Sequence, residues 1–191
     1  GRPVAWMLAL YYFITFGGFV AMGAYLPTLL VEEFDLSRTA AGARAALFIA
    51  LATFARPLGG YLADRWSGAA ILSGVFFIVA TLAIILAFEP PIALLMLAVL
   101  GIGATFGVGN GAVFKLVTAL FPRQTGAVTG LVGAAGGLGG FFPLIVIGTV
   151  KEVTHSLSIG FMLLSQLAAI CLILNLLVLQ RRVRRLTMDG A

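Results

Sequence analysis

The stretch GAVTGLVGAAGGLGGFFP, residues 126 to 143, contains seven glycines in eighteen positions and no charged residue. Glycine at this density is typical of loops in soluble proteins, but this stretch is too apolar for a loop exposed to water. In lipid, small residues spaced four apart let helices approach closely, because packing drives helix association there. Three pairs have this spacing: Gly126 and Gly130, Gly133 and Gly137, and Gly136 and Gly140. The stretch therefore predicts a membrane helix whose bare backbone packs against a neighbouring helix.

The composition of the whole chain also indicates a membrane protein. The 191 residues are 61% hydrophobic and 10% charged, with a mean hydropathy of +1.12, whereas soluble domains contain about 25% charged residues. The net charge of +5 does not favour a nucleic-acid partner, because four of the twelve basic residues are clustered at residues 181–185, after an apolar run. A cationic segment in that position is typical of a cytoplasmic membrane anchor.

Six segments are long and apolar enough to cross a bilayer, which requires about 20 residues. They are residues 6–30, 40–63, 69–88, 92–120, 127–150 and 157–179, followed by a basic tail at residues 180–191. The short connections between them predict antiparallel neighbours in a single all-α bundle. Seven basic residues fall on the side of the two termini and three on the other side. This bias predicts that both termini are cytoplasmic.

Residue types that support catalysis or metal binding are scarce. Cys171 is the only cysteine and His155 the only histidine, so the sequence predicts neither a disulfide nor a metal site. No nucleophile and base occur in a recognisable pairing, and we therefore expect no enzyme activity and no cofactor. The acidic residues lie in loops, at span ends or in the tail. The sequence therefore predicts no membrane-embedded carboxylate that could relay protons.

Arg56 is the most informative residue within a span. It precedes Asp64 by eight residues, which places it about 12 Å deep at ~1.5 Å per residue. An arginine at that depth usually faces the interior of a bundle or a water-filled cavity. Its planar, permanently charged guanidinium can bind a planar oxyanion through two parallel hydrogen bonds. Arg56 therefore predicts an anion site, with snorkelling of the side chain to the interface as the alternative.

Residues of three other spans fall at a comparable depth. Tyr12 and Phe16 are four positions apart, hence on one helix face, and Asn110 offers an amide between two glycines. Gly133 and Gly137 present bare backbone that would let an anion approach. Their shared depth predicts one layer near the midplane, where transporters hold their substrates. Lys115 lies closer to the cytoplasmic surface, and we expect its side chain to snorkel there.

Two motifs carry a family resemblance. GGYLADRWSG, residues 59 to 68, resembles the loop signature of the major facilitator superfamily through Gly60, Asp64, Arg65 and Gly68. That loop joins the second and third helices of each six-helix half on the cytoplasmic side. GNGAVFK, residues 109 to 115, followed by the glycine-rich stretch, is similar to the second half of the nitrate/nitrite porter family.

The resemblance covers nearly the whole chain and implies a fold and a function. The six spans would be the C-terminal half of a twelve-helix transporter of nitrate and nitrite in a bacterial cytoplasmic (inner) membrane. Arg56 matches the family's substrate arginine, Tyr12 and Phe16 match the aromatic pair that sandwiches the anion, and Asn110 matches a polar position. The first six helices, which supply a second arginine and a second glycine signature, would be missing from this chain.

Two other functions remain open at this point. A related transporter could carry another small anion, such as a carboxylate. An orphan six-helix half could instead act as a structural or regulatory membrane partner without transport of its own.

Overall fold

The computed structural model describes residues 2–154 and 156–181, and within these ranges the chain is helical, without strands. The helices are α1 (Arg2–Phe34), α2 (Arg38–Leu62), α3 (Gly68–Ala87), α4 (Ile92–Leu120), α5 (Thr125–Thr154) and α6 (Ser158–Leu174), with π-helical turns at Ala63–Ser67 and Asn175–Leu179. The predicted all-α fold class is confirmed. His155 and most of the predicted basic tail lie outside the described residues.

Helix length and composition fit a protein that crosses a membrane several times. Five continuous helical runs in the described residues are long and apolar enough to span a bilayer. One of them, Arg38–Ala87, contains both α2 and α3, which have 25 and 20 residues respectively. The six helices coincide with the six predicted spans to within about one helical turn.

Local sequence signals explain where the helices begin and end. The hydroxyl of Ser37 accepts a hydrogen bond from the Ala40 amide at the start of α2, which satisfies one of the amides that lack an intrahelical partner. Asp35 and Glu89 adopt positive φ angles of 51° and 50° at the turns that follow α1 and α3. Helical geometry breaks again at Ser67, where φ is 169° and ψ is 129°.

Each helix has a preferred neighbour. The most extensive packing joins α1 to α5 and α2 to α4, while α3 packs against both α6 and α4. The largest wholly buried side chains include Tyr11, Phe48, Phe76 and Phe106. They come from α1, α2, α3 and α4, so these four helices share a single core.

Backbone contact between α1 and α5 occurs through one face of the glycine-rich stretch. A Cβ at Gly139 would overlap the backbone of Phe13, and one at Gly17 would overlap the backbone of Gly139. Gly136 and Gly140 lie on the same side of α5, where added Cβ atoms would collide with Tyr12 and Val20 respectively. The prediction of close helix packing is therefore confirmed for this face.

For the other two glycine pairs, close helix packing stays a prediction. A Cβ at Gly126, Gly130, Gly133 or Gly137 would meet no atom within 4 Å. These four residues do not contact the other described helices of this chain. Because α5 is apolar on every side, glycine spacing alone does not reveal which of its faces packs within this chain.

Glycines also allow close packing between α2 and α4. A Cβ at Gly107 would overlap the carbonyl oxygen of Ala52, and one at Gly111 would overlap that of Arg56. Gly59 of α2 approaches the Val108 carbonyl equally closely. Because these helices meet backbone to backbone, the position of Arg56 relative to α4 is tightly constrained.

Hydrogen bonds join α3 to α6 near both ends and the middle. The Ser165 hydroxyl donates to the Ala80 carbonyl at 2.9 Å, and the Ser158 hydroxyl donates to the Ala87 carbonyl at 2.6 Å. Near the other end, the Asn175 amide donates to the Ala69 carbonyl at 2.6 Å and to the Ser73 hydroxyl at 2.7 Å. These bonds pair polar groups that would otherwise be buried without partners.

The two faces of α5 give a direct test of the packing. We expect Gly139→Ala to destabilise the protein by about 1–3 kcal/mol, because the added methyl group overlaps the α1 backbone. Gly137→Ala, two positions away on the open face, should be neutral or gain up to about 1 kcal/mol from helix propensity. Unfolding of both variants in detergent, followed by circular dichroism, measures the difference. Equal stabilities would contradict the assignment of the packed face.

Candidate functional site

Arg56 lies in α2, with its guanidinium directed at aromatic rings of α1. Its Cζ lies 5.4 Å from the ring centroid of Phe16 and 5.1 Å from that of Phe19. These distances are within the range of cation–π attraction. The Nε atom is buried and has no hydrogen-bond partner. The guanidinium therefore lies against α1, and the function of Arg56 as an anion ligand stays a prediction.

No carboxylate neutralises this guanidinium among the described residues. Lys115 Nζ pairs with Asp64 Oδ1 at 2.6 Å, and Arg56 takes no part in that ion pair. A charge that is partly withdrawn from water without a counter-ion is unfavourable unless other groups compensate for it. Arg56 is therefore a half-buried cation that could accept an anionic partner.

Tyr12 and Phe16 form an aromatic wall beside Arg56. Their rings are stacked, with centroids 5.0 Å apart and planes within 2° of each other. Phe114 of α4 contacts Tyr12 edge-on, at 4.8 Å and 71°. Because Tyr12 and Phe16 stack directly on each other, a flat ligand would lie against this pair and not between its two rings. An aromatic sandwich of the kind implied by the family resemblance would need a further ring from elsewhere.

Asn110 is buried on α4, on the side that faces these rings. It is only 2% exposed, and neither its Nδ2 nor its Oδ1 has a hydrogen-bond partner. It lies four residues from both Phe106 and Phe114, hence on the same face of α4. Phe106 packs towards Gly18 of α1 and Phe114 contacts Tyr12. Asn110 is therefore placed between these two contacts, facing α1.

An unpaired buried amide requires an explanation, because such groups are rare in native proteins. Leaving each donor or acceptor unsatisfied costs about 1–3 kcal/mol. Asn110 thus offers an unpaired amide NH2 group and an unpaired carbonyl oxygen on the face of α4 that carries Phe106 and Phe114. Polar groups without hydrogen-bond partners are typical of a site that binds a small polar ligand.

The two predicted glycines of the site contact no other residue of this half, and their role at an anion site stays a prediction. Gly133 and Gly137 lie on the exposed face of α5, with open space around both. Their neighbour Gly136 is the residue that contacts the aromatic wall, since a Cβ there would lie 2.5 Å from Tyr12 Cδ1 and 3.0 Å from Phe16 Cδ1. The bare backbone at Gly136 is therefore what admits the Tyr12 ring.

The residues of the loop motif lie at one end of the bundle. Asp64 forms the ion pair with Lys115, and Arg65 Nη1 donates to the Tyr61 hydroxyl at 3.0 Å. Gly68 leaves room for the side chain of Leu116, whereas a Cβ at Gly60 would meet no atom within 4 Å. The segment between α2 and α3 is a π-helical turn. Lys115 reaches this end, as expected, and there it binds a carboxylate.

Sequence reasoning missed three residues of this region. Phe19, Phe114 and Gly136 contact Arg56 or the Tyr12–Phe16 pair. Phe19 is three positions beyond Phe16, and Phe114 is four positions beyond Asn110, so both follow helical spacing from residues already selected. That helical spacing could have identified both phenylalanines from the sequence.

Comparison with known proteins identifies the family. The family model of the Major Facilitator Superfamily matches residues 1–144 of the chain. The chain belongs to the Major Facilitator Superfamily. Its membership, together with several helices of membrane length, makes it a multi-pass membrane protein.

Named relatives narrow the resemblance further. A protein named nitrite extrusion protein from Bacillus subtilis is 49% identical over 165 residues, covering 86% of this chain and 42% of the relative. A probable nitrate transporter NarT from Staphylococcus epidermidis is 43% identical over 166 residues, covering 87% of this chain and 43% of the relative. The similarity to nitrate/nitrite porters is thereby confirmed. The chain spans less than half the length of these relatives.

The unpaired amide of Asn110 predicts an unusual response to mutation. We expect Asn110→Leu to leave the free energy of unfolding unchanged or to raise it by about 1–3 kcal/mol, because it removes unsatisfied polar atoms from the interior. Asn175→Leu is the matched control, since the Asn175 amide donates two hydrogen bonds to α3 and its loss should destabilise the protein. Unfolding in detergent compares the two variants. A large destabilisation by Asn110→Leu would mean that its amide has structural partners.

Proposed function

We propose that this chain is the C-terminal half of a transporter that moves nitrate and nitrite across a membrane by alternating access. The observation that carries the proposal is the guanidinium of Arg56, which lies within a membrane bundle against two aromatic faces without a carboxylate partner among the described residues. The names of the relatives, nitrite extrusion protein and nitrate transporter, support the same substrates.

The chemistry of the site suits a small planar oxyanion. A guanidinium presents parallel N–H groups in one plane, which match two oxygens of a flat anion. The Tyr12–Phe16 pair supplies a flat apolar surface next to it, and the Asn110 amide adds a neutral donor. Uptake of the anion would pair this half-buried charge, so binding would not require a metal, a cofactor or covalent chemistry. We accordingly propose transport and no enzymatic role.

The other half of the site would come from residues outside this chain. Because the relatives are more than twice as long as the matched region, we propose that a further six-helix half packs against this one. The exposed apolar faces of α2 and α5 are candidates for that contact, with Phe54 and Leu58 on α2 and Phe141 on α5. Gly133 and Gly137 lie on the same α5 face, where they would border both the contact and the anion site.

The orientation in the membrane follows from the basic residues. The ion pair between Lys115 and Asp64 joins the ends of α4 and α2, which places Arg65 and Arg123 near the same end of the bundle. We propose that this end is cytoplasmic, in a bacterial inner membrane, and that both termini of the chain lie there. A reporter fused after residue 191 should be active only on the cytoplasmic side, and activity outside would reverse the assignment.

Replacement of Arg56 tests whether the substrate is a planar oxyanion such as nitrate. We expect Arg56→Lys in the full-length protein to weaken nitrate binding by about tenfold or more. Lysine keeps the charge but loses the parallel hydrogen bonds, and one charged hydrogen bond contributes roughly 1.5–3 kcal/mol. Binding is measured by calorimetry on purified protein, and exchange by counterflow of nitrate against nitrite and against organic acids.

The control for this substitution is Arg44→Lys on the same helix. Arg44 donates to the Ala40 carbonyl of its own helix and contacts none of the aromatic rings of the site, so its replacement should leave nitrate affinity unchanged. Equal affinities of wild type and Arg56→Lys would remove Arg56 from the site. Counterflow with carboxylates but not with nitrate would show that the substrate is another anion.

The exposed face of α5 is tested at Gly137. We expect Gly137→Leu to abolish nitrate transport by the full-length protein, because the leucine would fill space needed by the opposing half. It should leave the folding of this six-helix half unchanged, since no atom of this half lies within 4 Å. Normal nitrate flux with leucine at this position would indicate that the face contacts lipid.

A further inference from the structure

We propose that Phe19 is a positioning residue that, backed by Phe48, sets the orientation of the Arg56 guanidinium. The proposal rests on the proposed function in that Arg56 is taken as the group that binds the anion. In this proposal, the orientation of the Arg56 guanidinium is set by two stacked rings, Phe19 and Phe48, that lie outside the Tyr12–Phe16 pair.

Phe19 is the ring closest to the charge. Arg56 Cζ lies 5.1 Å from the Phe19 centroid and 5.4 Å from the Phe16 centroid, so two ring faces contact one guanidinium. The buried Nε has no hydrogen-bond partner, and no described carboxylate pairs with the side chain. The aromatic faces are therefore the contacts that the structure provides to hold this cation.

Phe19 is itself supported from behind. Its ring is stacked on that of Phe48 of α2, with centroids 6.0 Å apart and planes at 21°. Phe48 is completely buried, and its ring fills the space left by the missing side chain of Gly103, where a Cβ would lie 2.7 Å from Cδ2 and Cε2. A row of contacts thus runs from the α4 backbone through Phe48 and Phe19 to Arg56.

This form of support has a specific chemical advantage for an anion site. A carboxylate that oriented the guanidinium would also neutralise it and would compete with the incoming anion. A ring face attracts the cation through its quadrupole and occupies the direction perpendicular to the guanidinium plane. The N–H groups that lie in that plane are not used by such a contact, so orientation and anion binding do not compete.

The experiment uses the full-length polypeptide in nanodiscs with 15N-labelled arginine. The Nε–H resonance of Arg56 is identified by its loss in Arg56→Lys. We expect ring currents to shift this proton upfield in wild type, and Phe19→Leu to move it downfield. Phe19→Tyr, which keeps the ring face, should retain the wild-type position. Nitrate affinity should fall about tenfold in Phe19→Leu and stay near wild type in Phe19→Tyr.

Two controls separate positioning from general packing. Phe13→Leu makes the same change on α1 away from Arg56 and should alter neither the resonance nor the affinity. In the Arg56→Lys background, Phe19→Leu should weaken nitrate binding by less than about twofold, because its effect passes through the arginine. If Phe19→Leu does not fold, Gly103→Ala displaces the Phe48 ring instead and should move the Arg56 resonance in the same direction.

The outcomes distinguish the two proposals. Because Phe19→Leu also removes the ring current of Phe19 itself, orientation is judged in Gly103→Ala, which keeps that ring. An Arg56 resonance unchanged in Gly103→Ala would overturn the positioning role, whatever the substrate. A resonance that moves in Gly103→Ala, in a protein that does not bind nitrate, would support the positioning role and reject the proposed function. Equal losses of affinity in Phe19→Leu and Phe13→Leu would also overturn it, since the effect would then reflect packing alone.

Discussion

The charge of Arg56 is the constraint around which the rest of the site is arranged. Placing an arginine within a membrane span is energetically unfavourable. The chain does not supply a carboxylate for it among the described residues and instead places the faces of Phe16 and Phe19 against it. The result is a cation that contacts two aromatic rings but no described carboxylate, which is the basis for proposing an anion as its partner.

Glycines determine whether that arrangement can form. Gly107 and Gly111 let α4 meet the α2 backbone at Ala52 and Arg56, which fixes the depth and direction of the arginine. On the other side of α1, Gly136 admits the ring of Tyr12. Any side chain at these positions would separate the helices that carry the site. The glycines therefore bring the helices close together, and the aromatic and charged side chains occupy the space that the missing glycine side chains leave.

The helical fold and the family could be predicted from the sequence, whereas the site residues stay a prediction. Helix length and hydropathy depend on composition, and Arg56 stands out because charges are rare in apolar segments. Tyr12 and Phe16 followed from helical spacing. The stacking of these two rings on each other could not be foreseen, because it depends on side-chain rotamers and on the neighbouring helix. The sequence could not show which face of α5 packs within this chain, since Gly133 and Gly137 have the same spacing as Gly136 and Gly140 on a helix that is apolar on every side. The contact of Phe19 with Arg56 was missed for a related reason, because one phenylalanine among fifteen has no distinguishing feature until its neighbour is known.

The contacts between helices differ in mechanical character. Hydrogen bonds tie α3 to α6 at Asn175, Ser165 and Ser158, so relative displacement of these two helices requires that polar pairs be broken in an apolar medium. The contacts between α1 and α5 and between α2 and α4 are made by glycine backbone, which holds each pair of helices at a close separation without side-chain hydrogen bonds between them. The two kinds of contact therefore oppose different displacements. The hydrogen bonds between α3 and α6 oppose sliding of one helix along the other, whereas the glycine contacts beside Arg56 set the distance between the helices that carry it and its aromatic neighbours.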